Sequence, residues 1–157
     1  MKLIELIHPK AITVDMSAQD KDTAMDELVG LLENSGGIKK GEKEATLGRL
    51  KERESLGSTG IGKGVGIPHA KCNTVKKMVA AIGISKNGVD FKSLDGEPTY
   101  IFFLLIAPGG NPGPHLKALA KISRLLDDKF IRDRLRSVKS SQELFDLIKK
   151  EEQKSGN

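Results

Sequence analysis

The longest uninterrupted apolar run in the chain, Tyr100 to Ala107, sets the strongest constraint on its fold. It is far shorter than the roughly 20 residues a membrane-spanning helix needs. Its aromatic and β-branched side chains suit a strand. A turn signal, Leu94-Asp95-Gly96, precedes it, and a breaker-rich loop, Ala107 to Gly113, comes after it. A strand apolar on both faces needs cover on both, which helices supply in α/β domains.

The rest of the chain offers those helices. Ala24, Met25, Leu28, Val29, Leu31 and Leu32 recur at helical spacing after two candidate caps, Ser17 and Asp20, and Gly36-Gly37 closes the segment. Lys43 to about Arg53 predicts a second helix with a thin apolar side. Pro114 suits the first turn of a third. Two more are expected, near Asp128 to Val138 and after Ser140, where Ser140 and Glu143 form a capping-box pattern. Further strands are expected at Ala11 to Val14 and Met78 to Ile84, with Asn87-Gly88 as a turn leading into Val89-Asp90-Phe91. The expectation is one α/β domain over residues 1–157, a mixed β-sheet covered by helices on both faces, with its core in 5–150 and a frayed tail over 151–157.

Composition removes several function classes. Aromatic residues are 4% of the chain and tryptophan is absent, so a base-stacking platform for nucleic acid is not expected. The net charge of +5 could attract acidic partners, but the signs are interspersed, as on a solvated helix face. Cys72 is the single cysteine, which excludes an internal disulfide framework and a Cys-rich zinc site and suits a reducing compartment. Met1 to Ile7 carries Glu5 within its apolar run and does not read as a signal peptide. A cytoplasmic protein without direct membrane insertion is expected.

The glycine run Gly57 to Gly66 is where chemistry could reside. Gly57-Ser58-Thr59-Gly60-Ile61-Gly62-Lys63-Gly64 comes within one residue of a P-loop, but Gly64 stands where the Mg²⁺-binding hydroxyl should be. The spacing of a dinucleotide-binding turn is not met either. The run leads directly into Ile67-Pro68-His69-Ala70, in which proline stiffens the approach to a histidine flanked by small residues. Its imidazole titrates near neutrality, so a neutral fraction can act as a nucleophile toward an anionic group. Taken alone, His69 reads more readily as a capped or half-buried structural histidine.

The pattern around His69 changes that balance. Glu54, then Ile61-Gly62, then Val65-Gly66-Ile67-Pro68-His69-Ala70 resembles the phosphorylation-site signature of the fructose/mannitol-type enzyme IIA domains of the bacterial sugar phosphotransferase system. Gly66 departs from the usual alanine; it keeps the residue small and is expected to loosen the backbone. Arg53-Glu54 is similar to the family's upstream Arg-Glu pair, and His115-Leu116 after Gly113-Pro114 is similar to its second histidine. The resemblance covers about residues 5 to 150.

It implies that His69 accepts a phosphoryl group from the phosphohistidine of the carrier HPr and passes it to a IIB domain, commonly to a cysteine there. The nitrogen-regulatory branch of the family implies instead a regulatory target protein that distinguishes the two phosphorylation states. In either branch Arg53 is the natural phosphate clamp. His115, near a helix N-terminus, could donate to the phosphate. Ser58 and Thr59 are candidate phosphate ligands or turn-formers. Lys63 and Lys71 could attract acidic partners. Cys72 is expected to be a small filler and His8 an ordinary N-terminal residue. No cofactor or metal is implied.

Overall fold

The computed structural model describes residues 1–155. Six strands form one mixed sheet among these residues: β1 (Ile7–Thr13), β2 (Gly60–Gly62), β3 (Val65–Gly66), β4 (His69–Lys71), β5 (Val79–Val89) and β6 (Thr99–Ala107). Five helices surround it: α1 (Lys21–Ser35), α2 (Lys43–Glu54), α3 (Gly113–Asp127), α4 (Lys129–Ser137) and α5 (Ser141–Lys154). The strand order is β1-β5-β6-β3-β2, with β4 also paired to β6. β1 runs parallel to β5, β5 antiparallel to β6, and β3 and β4 both parallel to β6.

β6 fulfils the expectation drawn from its sequence. Ile101, Phe103 and Leu105 join a core with Ile82, Ala118, Ile122, Leu135, Leu144 and Ile148, beneath α3, α4 and α5. Phe102, Leu104 and Ile106 join a second core with Met25, Leu28, Leu32, Leu47 and Leu50, beneath α1 and α2. Period-two alternation thus feeds two cores from one strand.

Several boundaries depart from expectation. Asp20, not Ser17, caps α1, its carboxylate accepting from Thr23 N–H at 2.9 Å; Gly36, at φ 85°, closes that helix. The first strand begins earlier, at Ile7. Asn87-Gly88 does not turn the chain: β5 runs through to Val89. Ile84 pairs with Ile101 and Val89 with Thr99, so the intervening residues bulge out of the ladder. Ser85 Oγ accepts the Gly88 N–H at 3.0 Å and holds the bulge. Ser140 caps α5, but Glu143 reaches Lys139 N–H rather than Ser140, so the capping box is half formed.

The tail expected to fray from Glu151 is helical to Lys154. Glu152 is buried and accepts from Leu3 N–H (2.7 Å) and Ile4 N–H (2.9 Å), which ties the end of α5 to a 3₁₀ turn at Leu3–Glu5. The core therefore reaches beyond both expected limits; Gly156 and Asn157 lie outside the described residues. No helix among the described residues is long and apolar enough to cross a membrane.

Two glycines give opposite expectations. A Cβ on Gly83 would sit 2.5 Å from Met16 Sδ and 3.0 Å from Leu28 Cδ2, whereas one on Gly48 in α2 meets nothing within 4 Å. Gly83→Ala should lower the unfolding free energy by about 1–3 kcal/mol through overpacking. Gly48→Ala should raise it by about 1 kcal/mol through helix propensity. Urea denaturation of both variants checks this pair.

Candidate functional site

The hairpin of β2 and β3 is built for tight turning. Gly62, Lys63 and Gly64 all have positive φ, and this turn brings β3 alongside β6. Gly66 is not loose there: it pairs with Gly60 on one side and Phe102 on the other. A Cβ at that position would lie 3.2–3.3 Å from Thr99 and the Phe102 ring, so the Phe102 ring already crowds the space an alanine would need. After β3, Pro68 O accepts from Leu105 N–H at 3.0 Å, and β4 starts at His69 opposite Leu105.

His69 is half-buried and its Nδ1 lies 2.7 Å from Ile67 O. A carbonyl oxygen only accepts, so Nδ1 carries the proton and Nε2 of the neutral ring keeps its lone pair. The His115 ring stands edge-on to it, with centroids 5.5 Å apart. His115 occupies the first turn of α3 and is buried, and its Nδ1 has no hydrogen-bond partner. Burial holds the pKa of His69 below the ordinary histidine value. The Ile67 hydrogen bond opposes that shift, the Arg53 charge adds to it, and Glu54 opposes it. His115 is lowered as well, first by burial and then by His69 and Lys71.

Arg53, in the last turn of α2, donates from Nη1 to Gly57 O at 3.0 Å. Among the described residues no carboxylate lies within 4.0 Å of it, so its guanidinium keeps donors for an incoming anion. The structure thus sets His69 against His115 and within reach of the Arg53 charge. Ser58 Oγ donates to Phe91 O (3.4 Å) and accepts from Gly60 N–H (3.0 Å), while the buried Thr59 donates its hydroxyl to Glu54 at 2.5 Å. Both hydroxyls bond within the turn, the second of the two roles the sequence offered for them. Lys71 sits close enough to influence His115, and Lys63 instead pairs with Asp127 at 3.1 Å. Cys72 is buried, and His8 is exposed.

Three features were not foreseen. Ile67 contributes a carbonyl, which no side-chain pattern announces. Arg49 Nε donates to Lys71 O at 3.2 Å and ties α2 to β4. Glu54, visible as the acid of the signature, is buried and paired with Lys21 Nζ at 2.7 Å, a residue 33 positions away. No group of three histidine, cysteine or acidic side chains among the described residues could hold a metal ion.

Residues 5–151 match the family described as phosphoenolpyruvate-dependent sugar phosphotransferase system, EIIA 2. The chain belongs to this family. It is 38% identical over 148 residues to the fructose-specific EIIABC component of Bacillus subtilis, covering 94% of the chain and 23% of that longer protein. The nitrogen regulatory protein IIA-Ntr of Neisseria meningitidis superposes with a TM-score of 0.84 at 32% identity, covering 92% of this chain and 97% of that one. The mannitol IIA of Escherichia coli, solved in complex with phosphorylated IIB, shares the fold at 20% identity and a TM-score of 0.76, covering 91% of this chain and 98% of that one.

In this EIIA domain the two histidines make stability depend on pH in a defined sense. Both bind protons less readily folded than unfolded. Between their folded values and the ordinary 6.5 the unfolded chain therefore holds more protons. Their contribution is complete above that ordinary value and declines as pH falls through it. The urea midpoint of His69→Gln should accordingly fall less than that of the parent chain between about pH 7.5 and 5.5.

Proposed function

We propose that this EIIA domain is a phosphocarrier of the sugar phosphotransferase system, accepting a phosphoryl group from phospho-HPr on Nε2 of His69 and passing it to a IIB domain. The single observation that carries this function is the 2.7 Å contact of Nδ1 with the Ile67 carbonyl, which leaves Nε2 as the free nucleophile. The lowered pKa supports it, because burial favours the neutral ring that can attack.

In the transfer, a bond forms from Nε2 to phosphorus as the bond from phosphorus to the donor imidazole breaks. The departing imidazole keeps the electron pair. The His69 proton stays on Nδ1, and the positive charge that develops on the ring is stabilised by Ile67 O. Arg53 faces the equatorial oxygens, where negative charge is spread in the transition state. His115 donates its Nε2 proton to the same oxygens; its unpartnered Nδ1, which then carries only a lone pair, supports that role. Onward transfer runs the same chemistry in reverse, with a thiolate of IIB as the attacking group. Such a carrier works in the cytoplasm, where HPr and the IIB domain are both within reach.

Two similarities favour two uses of the same chemistry. The fructose-specific relative supports sugar uptake, and the nitrogen regulatory structure supports a phosphorylation-dependent binding module. Discharge of the phosphorylated domain by a fructose-type IIB supports the first; a stable phosphorylated form that IIB does not discharge supports the second.

Incubation with phosphoenolpyruvate, enzyme I and HPr should add one acid-labile phosphoryl group to the parent chain and none to His69→Ala, read by intact mass. Absence of that gain with active donors overturns the carrier function. Arg53→Ala should slow acceptance on the order of a hundredfold, the effect of removing a preorganised donor from a charge-transfer site. Stopped-flow or quench-flow labelling measures it.

A further inference from the structure

We infer that Lys21 and Glu54 are positioning residues for the nucleophile: a hydrogen-bonded chain from α1 through Glu54, Thr59 and Ile67 sets which nitrogen of His69 is free. Only the kinetic arm of its test rests on the carrier function proposed above.

Every link of that chain is defined. Lys21 Nζ, at the start of α1, donates to Glu54 Oε2 at 2.7 Å. The two carboxylate oxygens accept Thr59 N–H at 3.0 and 3.2 Å, and Oε1 accepts the Thr59 hydroxyl at 2.5 Å. Thr59 O in turn accepts Ile67 N–H at 3.0 Å, and Ile67 O receives His69 Nδ1 at 2.7 Å. Glu54, Thr59 and Ile67 are all buried, so water does not substitute for a missing link.

The coupling is mechanical rather than electronic. At Thr59 and at Ile67 the N–H and the C=O belong to neighbouring peptide planes, so what passes along the chain is position. Thr59 is immobilised by three contacts to one carboxylate. Ile67 and Pro68 are then pinned from both sides, by Thr59 O on one and by Leu105 N–H on the other. Proline removes the remaining freedom in φ. The protonated nitrogen of a histidine is set by the hydrogen bond its other nitrogen makes or lacks, so fixing one carbonyl fixes the nucleophile. Lys21 also lies 5.0 Å from the centroid of the Phe91 ring, whose carbonyl holds Ser58. The cation from α1 therefore braces the turn from two directions.

The test reads the tautomer of His69 and its reactivity separately. Long-range ¹H–¹⁵N spectra of the parent chain at neutral pH should show the proton on Nδ1. Glu54→Ala and Lys21→Met should show mixed tautomers at His69 with an unchanged signal at His8 and unchanged far-UV circular dichroism. Phosphorylation by the small donor phosphoramidate should slow on the order of tenfold to a hundredfold in the same variants, the effect of a misplaced reacting group. Glu54→Gln, whose amide oxygen still accepts from Thr59, should recover part of both signals.

A folded Glu54→Ala with the parent tautomer and rate overturns the inference. Where Glu54→Ala does not fold, Lys21→Met and Thr59→Val decide, and a parent-like tautomer in both overturns it. Failure of phosphoramidate to label the parent chain would sink the carrier function but not the positioning, which the tautomer alone then decides.

Discussion

Two-sided burial of β6 is the constraint on which the rest of the structure depends. Its side chains alternate between a core under α3, α4 and α5 and a core under α1 and α2. One edge is taken by β5 and the other by β3 and β4 in succession. β4 is only three residues long and owes its existence to that edge. His69 pairs with Leu105, and a slip of one residue would turn its ring into a core and present Ala70 in its place. His69 is thus positioned by the most deeply buried strand of the domain.

Burial has a second consequence at the site. A half-buried imidazole loses solvation of its charged form, which favours the neutral ring that a nucleophile requires. The same desolvation would be costly for Glu54 were it unpaired. It is matched by Lys21 and by both donors of Thr59, so the carboxylate organises the turn behind the histidine. Arg53, one residue earlier on α2, bonds the Gly57 carbonyl and has no carboxylate partner among the described residues. Adjacent residues at a helix end therefore take different partners, because consecutive positions on a helix face different directions.

Much of the fold and the central site was legible in the chain. The apolar run at Tyr100, the periodicity of α1, the cap at Ser140 and the proline in the first turn of α3 are local signals, and local signals are what short stretches of sequence encode. Asn87-Gly88 misled because its local preference for a turn was overridden by pairing of Val89 with Thr99 and by the Ser85 hydroxyl. The tail misled for the opposite reason. Glu151 to Lys154 shows no strong local signal, yet Glu152 is held by the backbone of residues 149 and 148 positions away.

The sequence by itself determined the alternation that makes two cores, the family to which the domain belongs and the candidate side chains His69, His115 and Arg53. Only the tertiary structure decided that Ser58 and Thr59 serve the turn, that Lys21 reaches Glu54, and that the Ile67 carbonyl assigns the proton of His69. Those decisions depend on backbone atoms and on partners distant in the chain. A one-dimensional pattern records which side chains are present, whereas a hydrogen bond depends on where folding has placed its donor and acceptor.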